Sequence, residues 1–138
     1  MSDRINADAA PEPVGSYPHA RKHGNLLFLS GVGPRKKGSK DIPGVQLDNE
    51  GNIASYDIEE QCHSVFGNVK AVLEASGSDW SKLIDVTVFL TNMKDDFSTY
   101  NRIYAEYFKD NQPCRTTVEI NCLPTPIAIE LKCIATLD

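Results

Sequence analysis

The strongest constraint on the fold is a pair of alternating runs near the end of the sequence, residues 114–122 and 127–134, separated by a Pro-Thr-Pro corner. Alternation with a period of two is typical of β-strands that have one apolar and one polar face. The corner between the runs has the residue types that favour a turn. A sheet built from such strands needs other elements of the chain, or a second subunit, to cover it.

Two segments before these strands have the period of amphipathic helices. Asp57 and Glu60 have the spacing of a capping box, although aspartate replaces the usual serine or threonine, and Gly77 is suited to end the helix. Residues 96–108 form the second segment, whose aromatic side chains lie largely on one side, as is typical of a core or a subunit interface. The apolar stripe of the first helix consists of Ile58, Cys62, Val65, Phe66, Val69 and Leu73.

The remaining segments predict further strands. Residues 16–34 have the pattern of a hairpin with its turn at His23-Gly24-Asn25 and its second strand at 26–29. A second short pair is expected about Asn49-Glu50-Gly51, and the β-branched run 82–92 is expected to be a central strand. This order predicts an α+β domain with a mixed sheet and both helices packed on one face. Another subunit is expected to cover the other face.

Length and charge limit the class of protein. At 138 residues the chain predicts one domain, residues 15–138, preceded by a flexible N-terminal arm over residues 1–14 that is rich in Ala, Pro and Asp. The net charge of -5 disfavours broad nucleic-acid binding but allows a local basic pocket. No apolar run has membrane-spanning length, and the first 15 residues lack the apolar core of a secretory signal. A cytoplasmic location with no membrane partner is therefore expected.

The sequence predicts neither a metal site nor a cofactor. The four cysteines form no C-x-x-C pair, and the three histidines are scattered. Cys62, Cys122 and Cys133 are predicted to be small buried hydrophobic residues. Cys114 is next to Arg115 and is the only cysteine considered to lie near a reaction site, although the favoured interpretation is that it takes no part in a reaction. The glycines of "GVGPRKKGS" lack the strand and helix context of a phosphate-binding loop.

The polar faces of the two C-terminal strands allow two interpretations. Arg115 and Glu119 belong to one face of the first strand, and Glu130 lies on the more polar face of the second. The simpler interpretation is a solvated surface with an ion pair between Arg115 and Glu119. The other is a substrate site. The polar face of the first strand contains Arg115, Thr117, Glu119 and Asn121, the opposite face contains Thr116, Val118, Ile120 and Cys122, and Ala128, Glu130, Lys132 and Ile134 share a face of the second strand.

The segments "RTTVEI", "IAIELKCIA", "LFLSGVGP" and "DVTVFLTNMKDDFSTYNRIYAEYF" together resemble the RidA (YjgF) family of enamine and imine deaminases. Within that family, "SYPHARKHG", "GPRKKGS" and "EINCLPTPIAIELKCIA" are most similar to the 2-aminomuconate deaminases. The resemblance implies a chorismate-mutase-like fold for a deaminase domain over residues 15–138. It also implies a homotrimer, or a dimer of trimers, with active sites in clefts between subunits.

The resemblance assigns roles to particular residues. Arg115 matches the arginine that holds the substrate carboxylate, and Glu130 matches the carboxylate that positions the attacking water. Tyr17 and Ser30 match residues that line the pocket, and Thr117 lies where many relatives have cysteine. A dicarboxylate substrate would need a second cation. The first candidate for this role is Arg21 and the second is His19; the further basic candidates are Lys22, Arg35, Lys36 and Lys37.

The predicted function is cofactor-free hydrolysis of 2-aminomuconate to 4-oxalocrotonate and ammonia. One alternative is a generalist deaminase of 2-imino acids such as 2-iminobutanoate. Another is a trimer that binds a ligand or regulates without catalysis, but a binding protein would need the arginine and not the paired glutamate. A ribonuclease is disfavoured, because the chain is acidic and shows no acid–base arrangement of histidines.

Overall fold

The computed structural model describes residues 3–138, which form a six-stranded sheet, a separate two-stranded sheet and two α-helices. The strands are β1 (Arg4–Ile5), β2 (Ala20–His23), β3 (Leu26–Leu29), β4 (Val45–Leu47), β5 (Ile53–Tyr56), β6 (Leu83–Leu90), β7 (Cys114–Glu119) and β8 (Ile129–Thr136); the helices are α1 (Ile58–Ala75) and α2 (Met93–Phe108), with a short 3₁₀ helix at Trp80–Lys82.

The large sheet has the strand order β1-β2-β3-β8-β6-β7. Its strands are antiparallel except for β6 and β7, which are joined through α2 and run parallel. The prediction of a mixed α+β sheet with β6 in an interior position is confirmed. The predicted hairpin is β2 and β3, with Gly24 at its turn at a φ of 58°. The predicted second pair is β4 and β5, which form the small sheet.

Helix α1 begins where the sequence predicts. The Asp57 carboxylate accepts hydrogen bonds from the backbone N–H groups of Glu59 and Glu60 at 2.9 and 3.4 Å. The other half of the predicted capping box is absent from residues 3–138, because the Asp57 N–H donates to the Gly44 carbonyl at 2.6 Å instead. After the helix, Gly77 has a φ of 80°, a conformation that glycine adopts without strain.

Both helices pack on one face of the large sheet, and an aromatic cluster joins them. Phe66 of α1 contacts Tyr104 and Phe108 of α2, and Trp80 packs on Phe108. The core interpretation of the α2 stripe is therefore confirmed for Tyr100, Tyr104 and Phe108, whose side chains are buried.

Two of the three cysteines predicted to be buried lie in this core. Cys62 and Cys133 are fully buried, and burial raises the pKa of each thiol to about 12. The same prediction for Cys122 is wrong, because the chain leaves the sheet after Glu119 and Cys122 is exposed. Cys114 is also exposed.

The N-terminal stretch, residues 3–14, packs against the rest of the domain without a structural boundary. Strand β1 pairs with β2, so that Arg4 is opposite Arg21 and Ile5 is opposite Ala20. The methyl side chains of Ala7 and Ala10 are buried in the core. Residues 1–2 of the predicted arm lie outside the described part of the chain.

No helix covers the second face of the sheet within residues 3–138. Phe28 lies opposite Ile134 in the register, and Val118 lies opposite Phe89. Phe28 and Val118 are each 36% exposed, which leaves apolar surface on this face. The subunit that the sequence predicts to cover it remains a prediction. Neither α1 nor α2, nor the short 3₁₀ helix, is long and apolar enough to cross a membrane.

Candidate active site

The candidate site forms where β3 and β8 separate. Phe28 lies opposite Ile134, and pairing resumes at an isolated bridge between Val32 and Leu131. The β3 side therefore has one residue more than the β8 side between these two pairs, as in a β-bulge. The Leu29 carbonyl, which loses its place in the ladder, accepts a hydrogen bond from Lys132 Nζ. The extra residue turns the segment after Leu29 away from β8 and opens a cavity beside Glu130.

This cavity has a volume of about 320 Å³. One wall is the segment after β3, including Ser30 and Gly31, and the facing wall is the Pro124-Thr125 corner between β7 and β8. A smaller cavity adjoins it and extends beneath the N-terminal segment, where Pro11 and Pro13 form part of its lining. Residues that line both cavities are Tyr17, Ser30, Gly31, Gly33 and Arg35.

Glu130 supplies the carboxylate of the cavity. Its side chain is half-buried and makes no hydrogen bond with any other group in residues 3–138. Burial raises the pKa of this carboxyl above its usual value of 4.5, and the positive charge of Arg35 opposes the rise. An unpaired carboxyl whose pKa is raised is able to accept a proton from water and return it during a reaction.

Gly31 makes room for that carboxylate. A Cβ atom at this position would lie 2.6 Å from Glu130 Oε2 and 3.0 Å from Cδ, closer than such atoms normally approach. The carboxylate can therefore occupy its position against the chain only because residue 31 has no side chain. Gly31 was not among the predicted site residues. Its signal in the sequence is a glycine directly after a strand, which is typical of a bulge or of a close backbone approach.

Tyr17, Ser30 and His19 lie around the cavities, where the resemblance places Tyr17 and Ser30. The Ser30 hydroxyl donates to the Pro18 carbonyl at 2.7 Å, and the Tyr17 hydroxyl accepts from the Val14 N–H at 3.2 Å. Both hydroxyls therefore also hold the chain around the cavity.

His19 has no ring nitrogen left for an anion. Its Nδ1 accepts from the Ala7 N–H at 2.8 Å, and its Nε2 lies 2.7 Å from the Pro11 carbonyl oxygen. This geometry requires the neutral tautomer with the proton on Nε2. The ring thus ties the N-terminal segment to the domain, and the prediction of His19 as an anchor for a second carboxylate does not agree with its contacts.

Arg21 also has another role. Its Nε and Nη2 donate to the two carboxylate oxygens of Asp3 at 3.0 and 2.7 Å, and this forked pair lowers the pKa of Asp3. Arg21 lines neither of the two cavities. Within one protomer, Asp3 therefore already pairs with the Arg21 guanidinium, and this contact does not favour the predicted role of Arg21 as the first candidate for the second anchor.

Arg35 is the cation that the structure places in the cavities. Its guanidinium donates to the Glu12 carbonyl at 2.7 Å, and it lines both cavities. It was one of several basic candidates in the sequence, with no feature that separated it from Lys36 and Lys37. The distinction depends on the path of the chain after β3, which periodicity does not reveal.

Arg115 and Thr117 lie together on the edge strand β7. The guanidinium of Arg115 is over the ring of Tyr104, 4.7 Å from its centroid, and Nη1 donates to Asn101 Oδ1 at 2.8 Å. The Thr117 hydroxyl is 2.9 Å from the hydroxyl of Tyr100. These contacts place the predicted polar face of β7 toward α2.

The alternative interpretation of this face as a surface ion pair is not supported. Glu119 does not pair with Arg115 in the described structure, because its Oε1 accepts a hydrogen bond from the Met93 N–H at 2.8 Å. A carboxylate in this position satisfies a free N–H group at the start of α2 and interacts favourably with the helix dipole.

Arg115 and Glu130 lie on opposite faces of the sheet within one chain. Arg115 is in register with Val86 of β6, and Glu130 is in register with Phe89. Neighbouring residues in register share a face, whereas residues three apart on one strand point to opposite faces. One protomer therefore contains two separate groups of predicted site residues: Tyr17, Ser30 and Glu130 around the cavity, and Arg115 and Thr117 on the edge strand.

The described residues offer no cluster of ligands for a metal ion. Between residues 3 and 138, no three His, Cys, Asp or Glu side chains are arranged to hold one. The chemistry available to the site consists of one half-buried carboxyl, a cation in the cavity, hydroxyl groups and the backbone that lines them.

Comparison with known proteins identifies relatives along nearly the whole chain. The sequence pattern of the Endoribonuclease L-PSP family matches residues 7–137. A RutC family protein of Pyrococcus horikoshii is 40% identical over 136 residues, which cover 98% of each chain. Reactive Intermediate Deaminase A, chloroplastic, of Arabidopsis thaliana is 37% identical over 96% of this chain and 65% of that protein.

The fold agrees with solved structures. The crystal structure of TdcF from Escherichia coli with bound serine has a TM-score of 0.82 and 29% sequence identity, and the match covers 96% of this chain and 97% of TdcF. Sequence and fold therefore give the same result: the chain belongs to the Endoribonuclease L-PSP family, which includes the RidA, YjgF and RutC proteins.

Proposed function

We propose that this protein is a cofactor-free deaminase that hydrolyses an enamine or imine, and that its substrate is 2-aminomuconate, which gives 4-oxalocrotonate and ammonia. The observation that carries the proposal is the Glu130 carboxyl, which is half-buried, without a hydrogen-bond partner in residues 3–138, and held against Gly31 in a cavity. A structural carboxylate would normally be paired at this degree of burial. An unpaired one is suited to a proton-transfer role.

The reaction needs proton transfer and orientation more than a covalent nucleophile. The enamine takes up a proton at carbon and becomes an iminium ion. Water then adds to the iminium carbon, and its proton passes to Glu130. Glu130 returns this proton to the nitrogen of the carbinolamine, which regenerates the carboxylate. The C–N bond then breaks, ammonia leaves, and the hydroxyl loses its proton to solvent as the carbonyl forms. This lost proton offsets the one taken up from solvent at carbon, so the net reaction is enamine plus water to ketone plus ammonia.

In this proposal, Arg115 holds the carboxylate next to the reacting carbon. A guanidinium presents two parallel N–H groups to a carboxylate, which fixes the orientation of the substrate. Because Arg115 and Glu130 face opposite sides of one sheet, a single chain does not bring them together. We therefore propose that each site combines Glu130 of one subunit with Arg115 of a neighbour, in a homotrimer or a dimer of trimers.

Two features support an assembled site. Strand β7 is at the edge of the sheet, so its backbone and its exposed Arg115 are accessible to another copy. The helix-free face, with Phe28 and Val118 exposed, offers apolar surface that such a copy could bury. Thr117 then lines the shared cleft beside Arg115.

The relatives support both the reaction class and the ligand class. A relative with 37% identity is named Reactive Intermediate Deaminase A, and the TdcF structure contains bound serine, a molecule with a carboxylate next to a carbon that bears nitrogen. The family is also described as endoribonuclease. A nuclease is disfavoured here because the chain has a net charge of -5, and because both ring nitrogens of His19 are bonded to the N-terminal segment.

The decisive experiment is a measurement of ammonia release from freshly generated 2-aminomuconate, with 2-iminobutanoate as the competing substrate class. The proposal predicts a higher kcat/KM for 2-aminomuconate. Efficient turnover of 2-iminobutanoate alone would show a generalist deaminase. Failure of both substrates to release ammonia above the spontaneous rate, together with tight binding of either product, would identify a binding protein and contradict the proposal.

A further inference from the structure

We infer that Arg35 binds the second carboxylate of a dicarboxylate substrate, in the cavity that contains Glu130, and thereby determines specificity. The inference rests on the proposed deaminase function for its substrate. Arg35 takes the anchoring role that the sequence assigned to Arg21 and His19, because the polar groups of those two residues are hydrogen-bonded to the N-terminal segment.

The backbone at Arg35 is fixed by helix α1. Asn68 Nδ2 donates to the carbonyl oxygens of Gly33 and Arg35 at 2.8 and 2.7 Å, and Ser64 Oγ donates to the Pro34 carbonyl at 2.7 Å. Three successive carbonyl groups are thus held by two side chains of one helix. A rigid support of this kind is needed at a binding site, because it limits the entropy that is lost when the arginine engages a ligand.

The guanidinium of Arg35 has donors to spare. An arginine side chain carries five N–H donors, and within residues 3–138 Arg35 uses one side-chain hydrogen bond, from Nη2 to the Glu12 carbonyl. The side chain is half-buried and lines both cavities, so its remaining donors are available to a ligand.

The charge of Arg35 is also not neutralised by an ion pair in the described residues. The Glu12 carboxylate belongs to the residue whose backbone carbonyl Arg35 contacts, but it is paired with Lys37. Burial raises the pKa of Glu130 and the charge of Arg35 only partly opposes that rise, and no ion pair forms between the two side chains. A half-buried cation without a paired anion is energetically unfavourable in the empty site, and a ligand carboxylate would remove that cost.

The charges of the assembled site would then match those of a dicarboxylate. Arg115 of the neighbouring subunit binds the carboxylate beside the reacting carbon, and Arg35 binds the distal one. Glu130 remains unpaired and free to handle protons. A monocarboxylate of the same length would leave Arg35 without a counter-anion and should therefore bind less tightly.

A binding experiment tests this assignment with stable ligands. The affinities of trans,trans-muconate and of sorbate, which has the same six-carbon diene but one carboxylate, are measured by calorimetry. The wild-type protein should prefer muconate. In Arg35→Gln this preference should fall by about 10- to 100-fold, the usual effect of losing a hydrogen bond to a charged group. Arg35→Lys should retain part of the preference, because it keeps the charge but not the fork.

Two neighbouring residues provide matched controls. Lys36→Gln removes the same charge from the adjacent exposed position, and Lys37→Gln removes the ion pair with Glu12. Both variants should keep the preference for muconate. If Lys37→Gln reduced the preference as much as Arg35→Gln does, Arg35 would act by holding the N-terminal segment, and the assignment would be wrong. Absence of any preference in the wild-type protein would also overturn it.

Ammonia release separates a failure of this inference from a failure of the proposed function. If the protein deaminates 2-aminomuconate and Arg35→Gln has an unchanged preference for it over 2-iminobutanoate, the reaction stands and the Arg35 assignment fails. If neither substrate is hydrolysed but the preference for muconate depends on Arg35, the anion site stands and the proposed reaction fails.

Discussion

The cavity beside β3 and the edge strand β7 both carry charged side chains on the same sheet, but these side chains differ in burial and in hydrogen bonding. Glu130 is half-buried, unpaired in residues 3–138, and kept against a glycine by a bulge in the sheet. Arg115 is exposed, stacked over Tyr104 and bonded to Asn101. The carboxyl is in an environment that changes its acidity, whereas the guanidinium is oriented by an aromatic surface. In the proposed reaction, the first region would supply the proton-transfer group and the second the group that holds the substrate carboxylate.

This difference suggests separate roles for the two regions. In the proposed mechanism, the cavity would supply proton transfer and specificity, through Glu130 and Arg35, and the edge strand would supply orientation, through Arg115. Because the two regions face opposite sides of one sheet, substitutions in them should have different kinetic effects and little effect on each other's structure.

The largest effect is expected from Arg115→Ala. Removing one partner of a desolvated charge pair costs roughly 2–5 kcal/mol, which corresponds to a loss of about 30- to 4,000-fold in kcat/KM. Arg115→Lys should recover part of this loss. Because Arg115 is exposed in the protomer, the melting temperature should change little. Steady-state kinetics together with a melting curve test this prediction, and near-normal kcat/KM would remove Arg115 from the site.

The next effect is expected from Glu130→Gln, which keeps the size of the side chain but cannot accept a proton. We expect kcat to fall about 100-fold or more, with KM little changed, because the substrate is held by the arginines. A large rise in KM with unchanged kcat would instead give Glu130 a binding role. The contrast with Arg115→Ala, which should raise KM, sharpens the distinction between the two regions.

Gly31→Ala should have an intermediate effect. Its Cβ would lie 2.6 Å from Glu130 Oε2, and a flexible carboxylate can move away more easily than the backbone can. We expect the protein to fold and kcat to fall by about tenfold, because a shift of about 1 Å in a reacting group can reduce rates by that much or more. A matched control is Gly38→Ala, since Gly38 lines neither cavity and has open space around it, although its φ of 72° will cost some stability. Equal losses of kcat in both variants would contradict the steric argument.

Much of the fold could be predicted from the sequence because it depends on local patterns. The stripe from Ile58 to Leu73 and the cap at Asp57 determine α1, and the alternation around Glu130 determines β8. The bulge between β3 and β8 could not be predicted, because it depends on the register between strands that are far apart in sequence. Because the sequence does not reveal the bulge, it also does not reveal where the cavity lies.

The site could be predicted only in part for the same reason. Alternation shows correctly that Arg115 and Thr117 share a face, but it does not show which face the helices cover. It likewise cannot show that Glu119 accepts a hydrogen bond from the start of α2, or that Arg21 forms an ion pair with Asp3. These contacts join distant parts of the chain, and they change the interpretation of individual charges without changing the order of the elements.

The smallest effect is a dependence of stability on pH. Burial raises the folded-state pKa of Glu130 above its usual value of 4.5, so its favourable contribution is fully present below that value and is lost as the pH rises through the folded-state pKa. Glu130→Gln has no such group. At about pH 7 the variant should therefore melt at the same temperature as the wild-type protein or higher, and this advantage should disappear near pH 4. A variant that is less stable at pH 7 would show that the ionised carboxylate has a stabilising partner.

Subunit mixing directly tests the proposal that one active site combines Glu130 of one subunit with Arg115 of another. Arg115→Ala and Glu130→Gln, each of reduced activity alone, are unfolded, mixed in equal amounts and refolded together, and ammonia release is measured with 2-aminomuconate below its KM. If the residues come from different subunits, random assembly restores both wild-type groups in about a quarter of the sites, and activity should rise to about that fraction of the refolded wild type. If both residues act within one chain, every site keeps a defect, and activity no higher than that of the separate variants would rule out a site shared between subunits.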